Sequence, residues 1–110
     1  MGSFVVSRRR NSEYQFNLKA DNGEIILTSE GYTNKMACFN GISSVKMSVG
    51  YDSNFERKLS WNGQYYFNLK ASNGQVIGTS EMYNNSVGRD NGVESVKRMA
   101  PTADVVDTTN

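Results

Sequence analysis

Between residues 14 and 20 the chain alternates, with Tyr14, Phe16, Leu18 and Ala20 on one side of an extended segment and Gln15, Asn17 and Lys19 on the other. A period of two is that of a strand with one face in a core. Residues 65–71 repeat the pattern, with Tyr65, Phe67, Leu69 and Ala71 set against Tyr66, Asn68 and Lys70. A strand-like segment precedes each of these (Phe4 to Arg9, Phe55 to Trp61) and another follows (Ile25 to Ser29, Val76 to Ser80). The joins carry turn chemistry: Asn62-Gly63 between the first two segments of the second set, and Asn22-Gly23 and Asn73-Gly74 before the third segments. Asn-Gly pairs accept the positive φ that tight hairpins require, so each half of the chain opens as an antiparallel meander. From Asn34 to Met47 the period lengthens, and Ala37, Gly41, Ile42 and Val45 recur at helical spacing, matched by Gly88, Gly92, Val93 and Val96. Thr33 or Asn34, and Asn84 or Asn85, are the N-cap candidates. The small residues of the stripe let the helix axis approach a sheet, offsetting glycine's propensity cost of about 1 kcal/mol.

The two halves are copies. Phe16 aligns with Phe67 at an offset of 51, and the offset holds without a gap from Phe4/Phe55 to Lys46/Lys97. The expected architecture is therefore α+β: two tandem β-β-β-α repeats, at about 4–49 and 54–99, whose antiparallel sheet packs against helices in a single domain of residues 1–100. The last ten residues, "PTADVVDTTN", lie outside the repeat and read as a flexible tail, 101–110.

Two copies of "FNLKAxNG", followed by "TSExY" and then by "NGIxSVK" or its variant "NGVESVK", resemble the bacterial YegP-like family of tandem-repeat proteins, a domain family of unknown function. The resemblance covers about residues 4–98 and implies two β-β-β-α repeats about an approximate two-fold axis. It brings no catalytic residue with it. Gly78, where the first copy has Leu27, departs from the repeat and bears on local packing.

Composition narrows the chemistry. The chain has no histidine, which removes the usual general base near neutral pH, histidine triads and Cys/His zinc sites. Cys38 is the single cysteine, so no internal disulfide forms and a reducing, cytoplasmic setting is expected. Its counterpart in the second copy is Arg89, and it reads as a half-buried helix cysteine without an activating partner. Glu30 and Glu81 are the one conceivable carboxylate pair, and the simpler reading has each facing solvent near a helix start. "NGEI" and "NGQV" are turns and not phosphate loops. The start, "MGSFVVSRRR", does not read as a secretory signal, and no apolar run is long enough for a membrane helix.

These readings lead to a small non-catalytic binding or interaction module with no cofactor and no metal, expected to be monomeric, whose ligand is an unknown protein or small molecule. The binding candidates are Asn17, Lys19, Tyr66, Asn68 and Lys70, polar positions of the central strands that alternate with core residues. The alternative is single-stranded nucleic-acid binding: Arg8, Arg9, Arg10, Lys19, Arg57, Lys58 and Lys70 supply a basic strip, and Tyr66 and Trp61 supply rings for stacking. A net charge of +1 gives that alternative no general electrostatic support.

Overall fold

The computed structural model describes residues 2–110. Each copy contributes three strands and a helix: β1 (Ser3–Arg8), β2 (Tyr14–Lys19), β3 (Ile25–Ser29) and α1 (Lys35–Ser48), then β4 (Phe55–Leu59), β5 (Tyr65–Lys70), β6 (Val76–Thr79) and α2 (Ser86–Met99). A last strand, β7 (Asp104–Asp107), follows a short 3-10 turn. All seven strands form one sheet in the order β4-β5-β6-β3-β2-β1-β7. The meanders are antiparallel as expected, and they join through β3 and β6, where Thr28 lies opposite Thr79. These two threonines are equivalent under the 51-residue offset, so the internal two-fold passes between them.

Phe4, Val6, Phe16, Leu18, Phe67 and Leu69 enter the core from the sheet, and Ile42, Val45, Val93 and Val96 meet them from the helices. Both helices therefore cover the same face. Each also reaches across the axis, α1 onto β5 and β6 and α2 onto β3, so the two repeats share one core.

The duplicated motif residues prove largely architectural. Ser29 Oγ accepts from Phe16 N and donates to Glu30 O, and Ser80 does the same for Phe67 and Glu81, so each hydroxyl patches the ladder where the strand ends. Asn34 and Asn85 are the N-caps, accepting at 2.8 Å from Ala37 N and Gly88 N. Asn22 and Asn73 close the hairpins ahead of Gly23 and Gly74, whose φ of 85° and 86° disfavour a side chain. A Cβ at Gly41 or Gly92 would strike the Tyr32 or Tyr83 hydroxyl. Glycine in the helix is thus what lets each tyrosine fit beneath it.

Residues 101–110 correct the expected flexible tail. Val105 and Val106 pair in parallel with β1, and Thr108 bonds back to Val6 O through both its N–H and its hydroxyl. Ala103 is buried, Lys46 Nζ donates to its carbonyl, and Lys35 holds Asp107 at 3.1 Å. Four residues joined to a strand about a hundred positions upstream carry no local signal of that pairing. The Asp107 carboxyl is pulled from its ordinary 3.8 to about 2, chiefly by the Thr109 hydroxyl and backbone N–H and further by Lys35. A depressed acid stabilises the folded state above its unfolded pKa and loses that contribution as pH falls through the folded value. Amide protection in β7 should therefore hold down to about pH 4 and weaken between pH 4 and 2, ahead of β2 and β5, in hydrogen exchange followed by NMR.

Candidate functional site

The five binding candidates stand where the alternation places them, on the sheet face opposite the helices. Ladder partners share a face, so a single polar row can be followed across the sheet: Glu56 opposite Asn68, Asn68 opposite Thr79, Thr79 opposite Thr28, Thr28 opposite Asn17, and Asn17 opposite Val5. Asn17 and Asn68 lie three strand spacings apart, roughly 14 Å. Tyr66 sits beside Lys58 in the next row on the β5 side. Lys19 and Lys70 lie two residues beyond the asparagines, toward opposite ends of the sheet.

The two halves of this face are not chemically alike. Asn68 Oδ1 accepts from the Thr79 hydroxyl at 2.8 Å, and Lys70 pairs with Glu56 at 3.1 Å. Lys70, with a further hydrogen bond from Asn68, holds the Glu56 carboxyl below its usual range. In the first repeat Val5 replaces Glu56, and among the described residues Lys19 has no ion-pair partner. Asn17 Oδ1 is enclosed without a hydrogen-bond donor. The repeat-2 residues are thus tied into the fold while their repeat-1 twins are not.

The basic strip is largely occupied. Arg57 engages Asp52 and Asp90, each at 3.2 Å, and Lys58 lies 3.9 Å from Glu56. Arg8 stacks over Tyr14 at 4.8 Å, and Arg9 bonds Gln15 and the Ser29 carbonyl. Trp61 stands fully out at the β4–β5 turn, 98% exposed.

Other candidates are kept apart. Glu30 and Glu81 extend in opposite directions from the Thr28/Thr79 pair, four positions apart along the strands, roughly 13 Å. They do not form a proton-sharing pair. Cys38 is completely buried rather than half-buried, and burial, with a smaller contribution from the Asp107 charge, pushes its thiol up to about 11. Among the described residues no group of three His, Cys, Asp or Glu side chains is placed to hold a metal ion, and no helix is long and apolar enough to cross a membrane.

The helix side holds what the sequence reading missed. A cleft of about 530 Å³ opens between α1 and the β5–β6 hairpin of the other repeat, with Glu30, Asn40, Ser44 and Gln75 on its walls and Tyr32 and Gly41 at its base. The signal was present, since Asn40 and Ser44 recur as Asn91 and Ser95, but nothing local to the helix marks them as lining a cleft.

Two β-β-β-α units closed across one axis into a single sheet define a tandem-duplicated α+β domain. The chain belongs to the DUF1508 family, a domain of unknown function, whose model matches residues 10–56 and 60–107. It is 48% identical over 109 residues to a UPF0339 protein of Stutzerimonas stutzeri, covering 99% of this chain and 98% of the relative. It is 44% identical over 108 residues to the UPF0339 protein YegP of Escherichia coli K12, covering 98% of each. The solution structure of E. coli yegP, described as a protein of unknown function, superposes with a TM-score of 0.92 at 43% identity, over 97% of this chain and 92% of that one. That of a Shewanella oneidensis UPF0339 protein gives 0.91 at 43% identity, over 96% and 90%.

The thiol's environment sets one expectation. A pKa raised from 9.0 to about 11 leaves about a hundredfold less thiolate at neutral pH. Iodoacetamide should therefore alkylate Cys38 at least about a hundredfold more slowly in the native protein than in urea, by mass spectrometry. Equal rates would place the thiol at the surface.

Proposed function

We propose that this protein is a non-catalytic binding module in the cytoplasm whose recognition surface is the open face of the sheet, and that the half around Asn17 and Lys19 engages a partner protein. The observation that carries the reading is the broken equivalence between repeats. Asn68 and Lys70 have their partners in Thr79 and Glu56, whereas Asn17 Oδ1 is enclosed without a donor and Lys19 has no counter-ion among the described residues. An enclosed acceptor without a donor costs about 1 to 3 kcal/mol. A partner that supplies a carboxylate to Lys19 would complete on the first half the ion pair that Glu56 makes with Lys70 on the second. Tyr66 flanks the face as a flat contact. The ion pairs of Arg57, Lys58 and Lys70 leave single-stranded nucleic acid little free charge, so protein is the favoured ligand.

Stability and capture separate the alternatives. Asn68→Ala removes a made hydrogen bond and should cost about 0.5 to 1.5 kcal/mol in a urea melt, whereas Asn17→Ala removes an unsatisfied acceptor and should be neutral or stabilising. In pull-downs from nuclease-treated bacterial lysate, Lys19→Glu should lose the captured protein and Lys70→Glu should largely retain it. Capture indifferent to Lys19→Glu contradicts the reading, and capture abolished by nuclease treatment moves it to nucleic acid.

A further inference from the structure

The cleft beside α1 is more than a gap between packed elements. It continues into a second hollow that shares Ser44 and Ala71 and runs on to Met47, Ser48 and Tyr51. The lining follows α1 from Ala37 to Ser48, twelve residues, or roughly 16 Å of groove between the first and the last. Its two ends differ. Glu30 is the one formal charge on the walls and stands at one end, with Asn40, Gln75 and the Tyr32 hydroxyl beside it. At the other end Met47 and Tyr51 expose apolar surface, at 77% and 66%.

Three polar residues of the groove have no structural employment, unlike Asn73 and Asn54 on the same walls, which hold a hairpin and the end of α1. Among the described residues the side chains of Glu30, Asn40 and Ser44 form no hydrogen bond or ion pair, unlike Ser29, Asn34 and Asn22, whose bonds hold the fold. Yet all three recur in the second copy, as Glu81, Asn91 and Ser95. Recent duplication alone does not account for this, because exposed neighbours on the same helices have diverged, Met36 to Val87 and Ser43 to Glu94. At the polar end of the groove Glu30, Asn40 and Ser44 are kept in both copies, whereas Met47 at its apolar end stands opposite Arg98 and Gln75 opposite Glu24.

We infer that this groove is a ligand site for a small primary amine on an extended apolar chain, with the ammonium group held by Glu30 and the acceptor oxygens of Asn40 and Gln75, and the chain lying over Ala71 toward Met47 and Tyr51. The walls carry a carboxylate and no cation, which favours ammonium over carboxylate or phosphate. The charged end and the apolar end are separated along one line, which favours a linear molecule over a compact one. The equivalent position beside α2 confirms the polarity of the charged end: there Glu24 replaces Gln75, and the Tyr83 hydroxyl is pushed up by burial first and then by Glu81 and Glu24. Its far end differs, because Arg98 stands where Met47 does and Met99 packs against Gly2. The full-length groove therefore occurs once, beside α1.

The test is an amide NMR titration of the full chain with hexylamine, hexanol and hexanoate. Hexylamine should shift the amides of Asn40, Ser44, Ala71 and Val76 together and saturably. Hexanoate should bind more weakly, and Glu30→Gln should weaken hexylamine about two- to fivefold, the range of an exposed ion pair, without changing the urea midpoint. Glu81→Gln should leave binding at α1 unchanged. Equal response to all three compounds, hexylamine binding insensitive to Glu30→Gln, or no saturable shift at these amides would each overturn the assignment.

Discussion

The structure depends on what can occupy the internal two-fold axis. Where β3 meets β6 the two copies present equivalent positions to each other at close quarters, and on the core side those positions are 27 and 78. Leu27 is completely buried there, and a Cβ added to Gly78 would lie 2.9 Å from Leu27 Cγ. The axis has room for one side chain and not two. The departure of Gly78 from the repeat is thus a requirement of joining the halves: a leucine from one copy fills the centre and a glycine from the other admits it. With the centre filled, the six meander strands become one sheet, and each helix packs across the axis onto the other repeat.

The same logic explains where else the copies diverge. β1 is an interior strand, covered along its outer edge by β7, and reads Phe4, Val5, Val6, Ser7. Its twin β4 is an edge strand and reads Phe55, Glu56, Arg57, Lys58. Charges on an uncovered edge oppose pairing with other chains, and here they also tie the second repeat together and to the segment that leads into it, since Arg57 and Lys97 meet on Asp52 and Arg57 reaches Asp90. Residues kept identical, in contrast, fill the core, as Phe16, Leu18 and Val45 do, or hold turns, caps and strand ends, as Asn22, Asn34 and Ser29 do. The polar residues outside that group lie on the open sheet face and along the helix-side groove, which is why those two surfaces carry the functional readings.

Much of this was legible in the sequence. The alternation from Tyr14 to Ala20 and from Tyr65 to Ala71 specified which side chains enter the core, and the Ala/Gly stripe specified a helix lying close. Asn34 and Asn85 prevailed over their neighbours as caps because their side chains reach the amide three residues on. What was hidden depends on distant pairings. Nothing in "DVVD" announces β1 as its partner, and nothing local says that β3 finds β6. The site was harder still, because the sequence shows that Asn17 and Asn68 are duplicated but not that Thr79 satisfies only one of them. The cleft that Glu30, Asn40 and Ser44 line forms only when α1 crosses onto the other repeat's hairpin.

A double-mutant cycle at the axis, read by urea denaturation, tests the central claim most directly. Gly78→Leu should destabilise by about 1 to 3 kcal/mol through overpacking, and Leu27→Gly by more than about 2 through the cavity it leaves. The exchange of both, Leu27→Gly with Gly78→Leu, returns one leucine to the axis from the other copy. It should be more stable than either single variant and within about 1.5 kcal/mol of the parent, a coupling opposite in sign to simple addition. If the two costs simply add, positions 27 and 78 do not share one space, and the account of how the halves are joined is wrong.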